Sequence, residues 1–371
     1  MKIAVTGSRG LVGWHAAARM HAANCAARFS GVSPPYELVQ LDREDFTDPP
    51  RLADRLRGVA AVLHFAGINR GEDAVVEATN PGIARRLVAA CGAAGVTPHI
   101  VYANSTHSAF DTPYGRSKRN AGEILKGLGG RYTDLVLPHI FGECARPNYN
   151  NVTATLIDRL WKNEALDVNP EGRVELLHAG EAAMIAIRAA VQGHVGTIRP
   201  PGRPMTVPAL SEKLEGFHAL YSANIFPDLS DAFDLALFNS YRTAGYPGRF
   251  PRRLKLNADQ RGALFETAKG GNASQSFMSS TVPGAVRGDH FHLGKVERFL
   301  VVKGKAVIRI RKVLTDELHE FNVSGDAPAA IDMPPLHTHN IENKGRGELL
   351  TLFWTHDIFD PSAPDTYADP V

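Results

Sequence analysis

The chain has 371 residues, 44% of them hydrophobic, which is long for one core and makes two domains the better expectation. A formal net charge of +2 on a mixed-sign sequence leaves no electrostatic footprint for nucleic acid or an anionic membrane surface. Three scattered cysteines, Cys25, Cys91 and Cys144, suggest neither a disulfide framework nor a cysteine metal site. The N-terminus enters a strand-like KIAVTG with no leader pattern, and no uncharged apolar run of about 18 residues follows. A cytoplasmic protein is expected, neither exported nor membrane-spanning.

From residue 1 to about 200, short apolar runs alternate with longer helical patterns. KIAVTG, YELVQL, AAVLHFAG, HIVYANS and TDLVLPHIFG read as strands, separated by helices at LVGWHAAARMHA, PPRLADRLRG, VVEATNPGIARRLVAACGAAG and YGRSKRNAGEILKGLG. Repeated strand–helix alternation predicts a doubly wound α/β domain, with a parallel sheet covered on both faces. Residues 200–245 hold helical candidates, VPALSEKLEGFHALYSA and LSDAFDLALFNSYR. AGYPGRFPRRLKL then reads as a connector, and the remainder carries short β-type runs broken by turn residues, such as RFLVVKGKAVIRIRKV and GELLTLFWT. The expected division is 1–246 for the Rossmann-type domain and 247–371 for an all-β barrel or sandwich.

VTGSRGLVG spaces Gly7, Gly10 and Gly13 three apart, between a predicted strand and a predicted helix. Glycine suits a backbone that must turn tightly and approach a pyrophosphate seated on free helix N–H groups. At the end of the second strand, Asp42 suits a ribose 2′-OH and NAD, while Arg43 suits a 2′-phosphate and NADP. The two readings stand side by side. PYGRSK puts Tyr114 and Lys118 one helical turn apart, so that both project from one face. A free phenol titrates near pH 10, and a neighbouring ammonium is expected to pull Tyr114 down toward neutrality. Ser105 ends the preceding strand, with Thr106 as a neighbouring hydroxyl.

In GDHFHLGKVERFLVVKG, alternation puts His290 and His292 on one face of a strand, with Glu297 five residues beyond His292. Imidazoles with a carboxylate suit Zn, Mn, Fe or Ni. In PPLHTHNIEN, His339 is the fourth candidate ligand and His337 its rival.

These motifs carry resemblances. The TGxxGxxG form, with Ser105, Tyr114 and Lys118, resembles extended short-chain dehydrogenase/reductases that act on nucleotide sugars. In that family the tyrosine moves a proton at the carbonyl oxygen, the lysine binds the nicotinamide ribose and the serine holds the substrate oxygen. Asp45 and Phe46 resemble its adenine-contacting segment, and Ala66 and Gly67 the loop beneath the cofactor. Asn80 resembles its helix asparagine, or is a solvent-facing helix residue. The Gly284–His290–His292–Glu297–Gly304 pattern resembles the first cupin motif, with Leu336 where the second motif usually has glycine.

The strings HFAGINR, ARPNYNNVTATL, THNIEN and FDPSAPDTY resemble the CapF (WbjC) family of capsular-polysaccharide and O-antigen enzymes, which join a short-chain reductase to a cupin. That resemblance implies a UDP-linked 4-keto-6-deoxy amino sugar as substrate, contacted by Asn69, Arg70, Asn148, Tyr149 and Asn150. It further implies C3 epimerisation by the cupin, C4 reduction with NADP(H), NAD remaining open, a divalent metal with zinc foremost, and a homodimer. The alternatives are an NAD-retaining nucleotide-sugar 4-epimerase or dehydratase, and a reductase whose cupin is purely structural. LLHAGE, and His139 where asparagine is more usual, depart from the family pattern and imply altered sugar specificity.

Overall fold

The computed structural model describes residues 1–260, 262–270 and 274–371. Packing divides the chain into two units, residues 1–155 with 169–207, and residues 156–168 with 208–371.

The first unit runs β1 (Lys2–Thr6), α1 (Leu11–Phe29), β2 (Glu37–Leu41), α2 (Pro49–Leu56), β3 (Ala61–His64), α3 (Asp73–Ala94), β4 (His99–Ser105), α4 (Pro113–Lys126), β5 (Tyr132–Leu137), β6 (His139–Phe141), the start of α5 (Val152–Lys162), β7 (Arg173–His178), α6 (Ala179–Gln192), β8 (Gly196–Ile198) and β9 (Arg203–Thr206). Six strands form a parallel sheet in the order β2-β1-β3-β4-β5-β8, and β6-β7-β9 form a small second sheet. Period-2 alternation sends Ile3, Val5, Leu63, Val101 and Leu135 toward alanine-rich α1 and α6. It sends Ala4, Val62, Ile100 and Tyr102 toward Leu52, Leu87 and Leu125 on the other face. Burial on both faces is why these strands read as continuous apolar runs. The chain leaves β1 for β2 and returns across β1 to β3, and at such a reversal the carboxyl ends of the strands open a crevice.

The second unit adds α7 (Val207–Ser222), α8 (Ala232–Ala244), β10 (Arg252–Arg253), β11 (Asn257–Asp259), β12 (Gly262–Leu264), β13 (Gln275–Thr281), β14 (Val286–Phe291), β15 (Glu297–Lys303), β16 (Lys305–Lys312), β17 (Leu318–Ser324), β18 (Ala329–Met333), β19 (His337–Asn343), β20 (Leu349–Thr355) and β21 (Tyr367–Ala368). Two five-stranded sheets, β10-β18-β15-β20-β13 and β17-β16-β19-β14-β21, are antiparallel throughout. Phe299, Val301, Ile308, Ile310, Ile331, Ile341 and Phe353 fill the space between them.

The expected boundary at 246/247 falls inside this second unit. The helices before it belong with the β-sheets because their aromatic and polar side chains are buried there. Tyr221 donates its phenol to Asp332, and Arg242, 1% exposed, donates to Met333 O and Lys295 O. Trp161 stacks on Tyr241 at 4.9 Å, and Phe226 on Trp354 at 4.1 Å. Arg298 and Asp332, both buried, form a two-pronged ion pair at 2.5 and 2.8 Å. Burial works to raise the Asp332 carboxyl, but the Arg298 charge and hydrogen bonds outweigh it and hold the group at about 2. Asp332→Ala, which strands Arg298 in the interior, is expected to destabilise the second unit by about 3–5 kcal/mol, read as a lower urea midpoint.

Candidate active site and candidate metal centre

The glycine loop closes by backbone bonds, Gly7 N to Leu41 O at 3.0 Å and Gly10 N to Gly7 O at 2.9 Å. Gly7 has φ +64°, and a Cβ on Gly13 would lie 2.1 Å from Gly7 O, so neither position admits a side chain without rearrangement. Gly10 caps α1 with no side-chain hydrogen bond, leaving the first amides of that helix to a ligand. This cradle fits a dinucleotide pyrophosphate.

Asp42 is held by Ser8 Oγ at 2.8 Å and Arg9 Nε at 2.8 Å. Arg9 therefore joins Arg43 as a cation at the expected ribose position. Its place inside the glycine motif is the one signal of this role in the sequence. The side chains of Asp45 and Phe46 turn inward. The Asp45 carboxylate accepts from Asp42 N, Arg51 Nε and Arg55 Nη1, and Phe46 packs in the core. Asn80 is buried, not solvent-facing. It bonds Ile68 N and Ile68 O, fixing the loop that contains Ala66 and Gly67, and reaches Ser117 Oγ on α4 at 2.9 Å.

Ser105, Tyr114 and Lys118 come together at the end of β4 and on the first turns of α4, which Thr112 caps by accepting from Gly115 N. The expected depression of Tyr114 is not found. Burial raises its phenol, and the Ser105 hydrogen bond offsets this only in part. Lys118 is itself buried, donates to Ala103 O, lies 4.4 Å from the centre of the Tyr102 ring, and is pulled down to about 7 by desolvation. Both groups are moved by loss of water rather than by each other.

Arg70 donates to Asn148 O, Asn150 Nδ2 donates to Asn69 O at 2.6 Å, and Arg146 lies 5.0 Å from the Tyr149 ring. The two loops expected to meet substrate are thus tied to each other. His139 follows β5, with its buried Nε2 lacking a hydrogen-bond partner among the described residues.

A buried network in the first unit has no local signature in the sequence. Arg19 Nη1 lies 3.3 Å from His15 Nδ1, His15 Nε2 lies 3.3 Å from Glu143 O, and His178 Nε2 lies 2.8 Å from a Glu143 carboxylate oxygen. Because arginine only donates, its contact puts the His15 proton on Nε2 and closes the network by hydrogen bonds. His15 is held down to about 3, mainly by burial. Burial opposes the Glu143 charge, but His178 beside it brings that carboxyl to about 2.

In the second unit, His290, His292, Glu297 and His339 converge, one ligand atom of each lying within 4.8 Å of the others. β14, with His292 just past its end, and β19 of one sheet supply the histidines, His290 facing His339 across the ladder, and β15 of the other sheet supplies Glu297. A bulge at Asp289, φ +56°, aims the His290–His292 pair. His292 Nδ1 meets Asp365 O at 2.6 Å and His339 Nδ1 meets His337 O at 3.2 Å, which turns both Nε2 atoms toward Glu297 at 3.1 and 3.4 Å. Burial works against charging Glu297, but His292, which bonds it, and His339 beside it hold its carboxyl far below the usual range. His339 Nε2 is buried and lacks a hydrogen-bond partner among the described residues. A divalent cation fits this donor set. His337 lies outside it, with Nδ1 on Pro335 O and its ring 5.3 Å from Tyr246. Leu336, standing where glycine is usual, adopts φ +60° and donates its N–H to His292 O.

With this geometry in view, residues 3–198 match the NAD dependent epimerase/dehydratase family. The chain belongs to that family. Residues 257–367 match a second description, the polysaccharide biosynthesis C-terminal domain. The UDP-2-acetamido-2,6-beta-L-arabino-hexul-4-ose reductase of Pseudomonas aeruginosa is 28% identical over 99% of this chain and 98% of its own. The capsular polysaccharide assembling protein CapF of Staphylococcus aureus is 28% identical, covered completely on both sides, with a TM-score of 0.58. This epimerase/dehydratase-family chain therefore resembles CapF in structure as it does in sequence. A Thermotoga maritima UDP-glucose 4-epimerase, 18% identical over 59% of this chain and 83% of its own with a TM-score of 0.51, shares the fold. No helix among the described residues is long and apolar enough to cross a membrane.

Two predictions follow from this geometry. Gly13→Ala is expected to abolish dinucleotide binding, measured by fluorescence titration, because the added carbon meets Gly7 O. His15 and His64, both held down to about 3 by burial, bind a proton only after unfolding between pH 3 and 6.5. Stability is therefore complete above about pH 6.5 and falls as pH drops, by up to about 1.4 kcal/mol per pH unit for each. Urea midpoints from pH 6.5 to 4.5 should decline, and His15→Gln should flatten that decline.

Proposed function

We propose that this chain is a two-activity enzyme acting on a UDP-linked 2-acetamido-2,6-dideoxy-4-hexulose. Its second unit, a cupin, epimerises C3, and its first unit reduces the C4 ketone to give a UDP-2-acetamido-2,6-dideoxy-L-talose. The observation that carries this reading is the presence in one chain of the Ser105–Tyr114–Lys118 constellation and the His290–His292–Glu297–His339 cluster. Likeness over its full length to CapF and to the Pseudomonas aeruginosa reductase supports it. A homodimer, as the family resemblance implies, belongs to the same proposal.

The chemistry of the first unit follows from desolvation. Burial keeps the Tyr114 phenol protonated, the state required to donate to the C4 oxygen as it gains charge. Ser105 orients that oxygen through its hydroxyl. Lys118, titrating near 7, is poised to resupply the proton and to bind the cofactor ribose. The bound nicotinamide cofactor supplies the hydride. NADPH is the preferred form because Arg9 and Arg43 stand beside Asp42, and the guanidiniums suit a 2′-phosphate. In the second unit, the C4 ketone makes the C3 proton removable. His290, His292, Glu297 and His339 would hold zinc or another divalent cation, which would supply positive charge. Zinc with four protein ligands is closed and structural, whereas a six-coordinate metal leaves positions open. His139 and the 69–70 and 148–150 loops are proposed to contact the sugar nucleotide.

Reaction of the keto sugar with NADPH in D₂O tests both halves. Loss of nicotinamide absorbance with deuterium at C3 of the product is expected. Tyr114→Phe should slow NADPH loss by about 10²–10⁴-fold while leaving C3 exchange intact, and Glu297→Gln should stop the exchange. NADPH loss without deuterium would make the second unit a structural partner. Absence of NADPH loss would overturn the reductase reading for this sugar, and C4 interconversion of a UDP-hexose without net nicotinamide consumption would replace it with a cofactor-retaining epimerase. Arg9→Ala is expected to raise KM for NADPH more than for NADH, and equal effects on both would overturn the NADPH assignment.

A further inference from the structure

The C-terminal string FDPSAPDTY contributes no residue to either candidate site, yet the structure lays it directly against the histidine cluster. Asp365 is its point of attachment. Its main-chain oxygen accepts from His292 Nδ1 at 2.6 Å. Its carboxylate accepts from three consecutive amides, Leu293 N, Gly294 N and Lys295 N, each at 2.9 Å. Those amides form the turn that carries the chain from His292, at the end of one sheet, to Glu297, the first residue of a strand in the other. One residue therefore sets both the ring orientation of one candidate ligand and the path to the next.

The backbone is shaped for this. Asp365 sits at φ +42°, a left-handed conformation that aspartate tolerates better than most residues. Its neighbours hold it in place. Lys295 Nζ donates to Pro364 O at 2.9 Å, and Tyr367 and Ala368 pair with Phe291 and His290. Arg311 grips Asp369 at 3.1 Å and Pro370 O at 2.7 Å, while Thr338, next to His339, donates to Asp369 O. Two strands that carry candidate ligands, β14 and β19, and the turn leading to Glu297 are thus tied to one short tail.

We propose that Asp365 is a positioning residue for the metal centre, its carbonyl on His292 and its carboxylate on the 293–295 turn setting the metal affinity. The proposal rests on the metal-centre reading given above. A carbonyl on Nδ1 makes that nitrogen a donor, so that Nε2, which faces Glu297, is the atom left to ligate once a cation displaces its proton, and holds the ring in the ligating orientation. Removing the carboxylate frees the 293–295 turn that follows His292, and with it the fixed placement of the His292 ring on the Asp365 carbonyl.

The test uses the full chain, stripped with chelator and titrated with Zn²⁺ against a competing chromophoric chelator, with Co²⁺ visible spectra as a report on ligand geometry. Asp365→Ala is expected to weaken Zn²⁺ binding about 10–100-fold and to change the Co²⁺ spectrum. Asp365→Asn, which keeps one acceptor oxygen, should fall between Asp365→Ala and the unmodified chain, and it serves if the alanine variant does not fold. Arg311→Ala loosens the far end of the tail without touching residues 292–295 and controls for general stability. It should lower the melting temperature while retaining most of the affinity. Unchanged affinity and spectrum in both Asp365 variants would overturn the positioning role, as would an Arg311→Ala loss equal to that of Asp365→Ala. An unmodified chain that takes up neither Zn²⁺ nor Co²⁺ would instead remove the metal-centre reading, and the proposal with it.

Discussion

A carboxylate enclosed between two sheets has to be met by donors or by a cation, since an isolated charge in a protein interior costs several kcal/mol. Glu297 imposes that requirement on the second unit. His292 and His339 approach it from the opposite sheet, carbonyl oxygens orient their rings, and Asp365 fixes the turn between His292 and Glu297. The bulge at Asp289 and the left-handed backbone at Leu336 and Asp365 belong to the same solution. Each bends a strand or turn so that buried polar atoms meet partners, and such strain persists where surrounding structure over-determines it.

The first unit answers a related requirement with an apolar sheet. Its parallel strands are buried on both faces, so polar chemistry is confined to their carboxyl ends and to the adjoining helix starts. Asn80 joins the loop after β3 to α4, and through α4 to the residues that carry Tyr114 and Lys118. The protonation states of those two groups are set by exclusion of water. Burial keeps the phenol protonated and brings the ammonium close to neutrality, which suits a donor and its resupplying partner.

Much of this was legible along the chain because it depends on local spacing. Glycines three apart between strand and helix, a tyrosine and a lysine one turn apart, and two histidines on one strand face all follow from helical and strand periods. Non-local partners left no such trace. Nothing next to Asp45 in the sequence shows that Arg51 and Arg55 take its carboxylate. Arg9 lay unread inside the glycine motif. The His15–Glu143–His178 network joins residues more than a hundred positions apart, and the helices of 208–246 lie with the sheets that follow them because Tyr221 and Arg242 are satisfied there.

The sequence by itself determined the order of elements, the doubly wound sheet followed by antiparallel sheets, the glycine cradle, and which residue types stand ready at each site. Tertiary structure decided which of them meet. His337 and His339 share one face of β19, and alternation treats them alike. Only the second comes within reach of Glu297, because the opposing sheet brings that carboxylate to one level of the strand, while Tyr246, from the turn after α8, meets the other. The same is true of Tyr114, whose protonation depends on how much water the folded chain excludes, a quantity carried by no single residue and no local spacing.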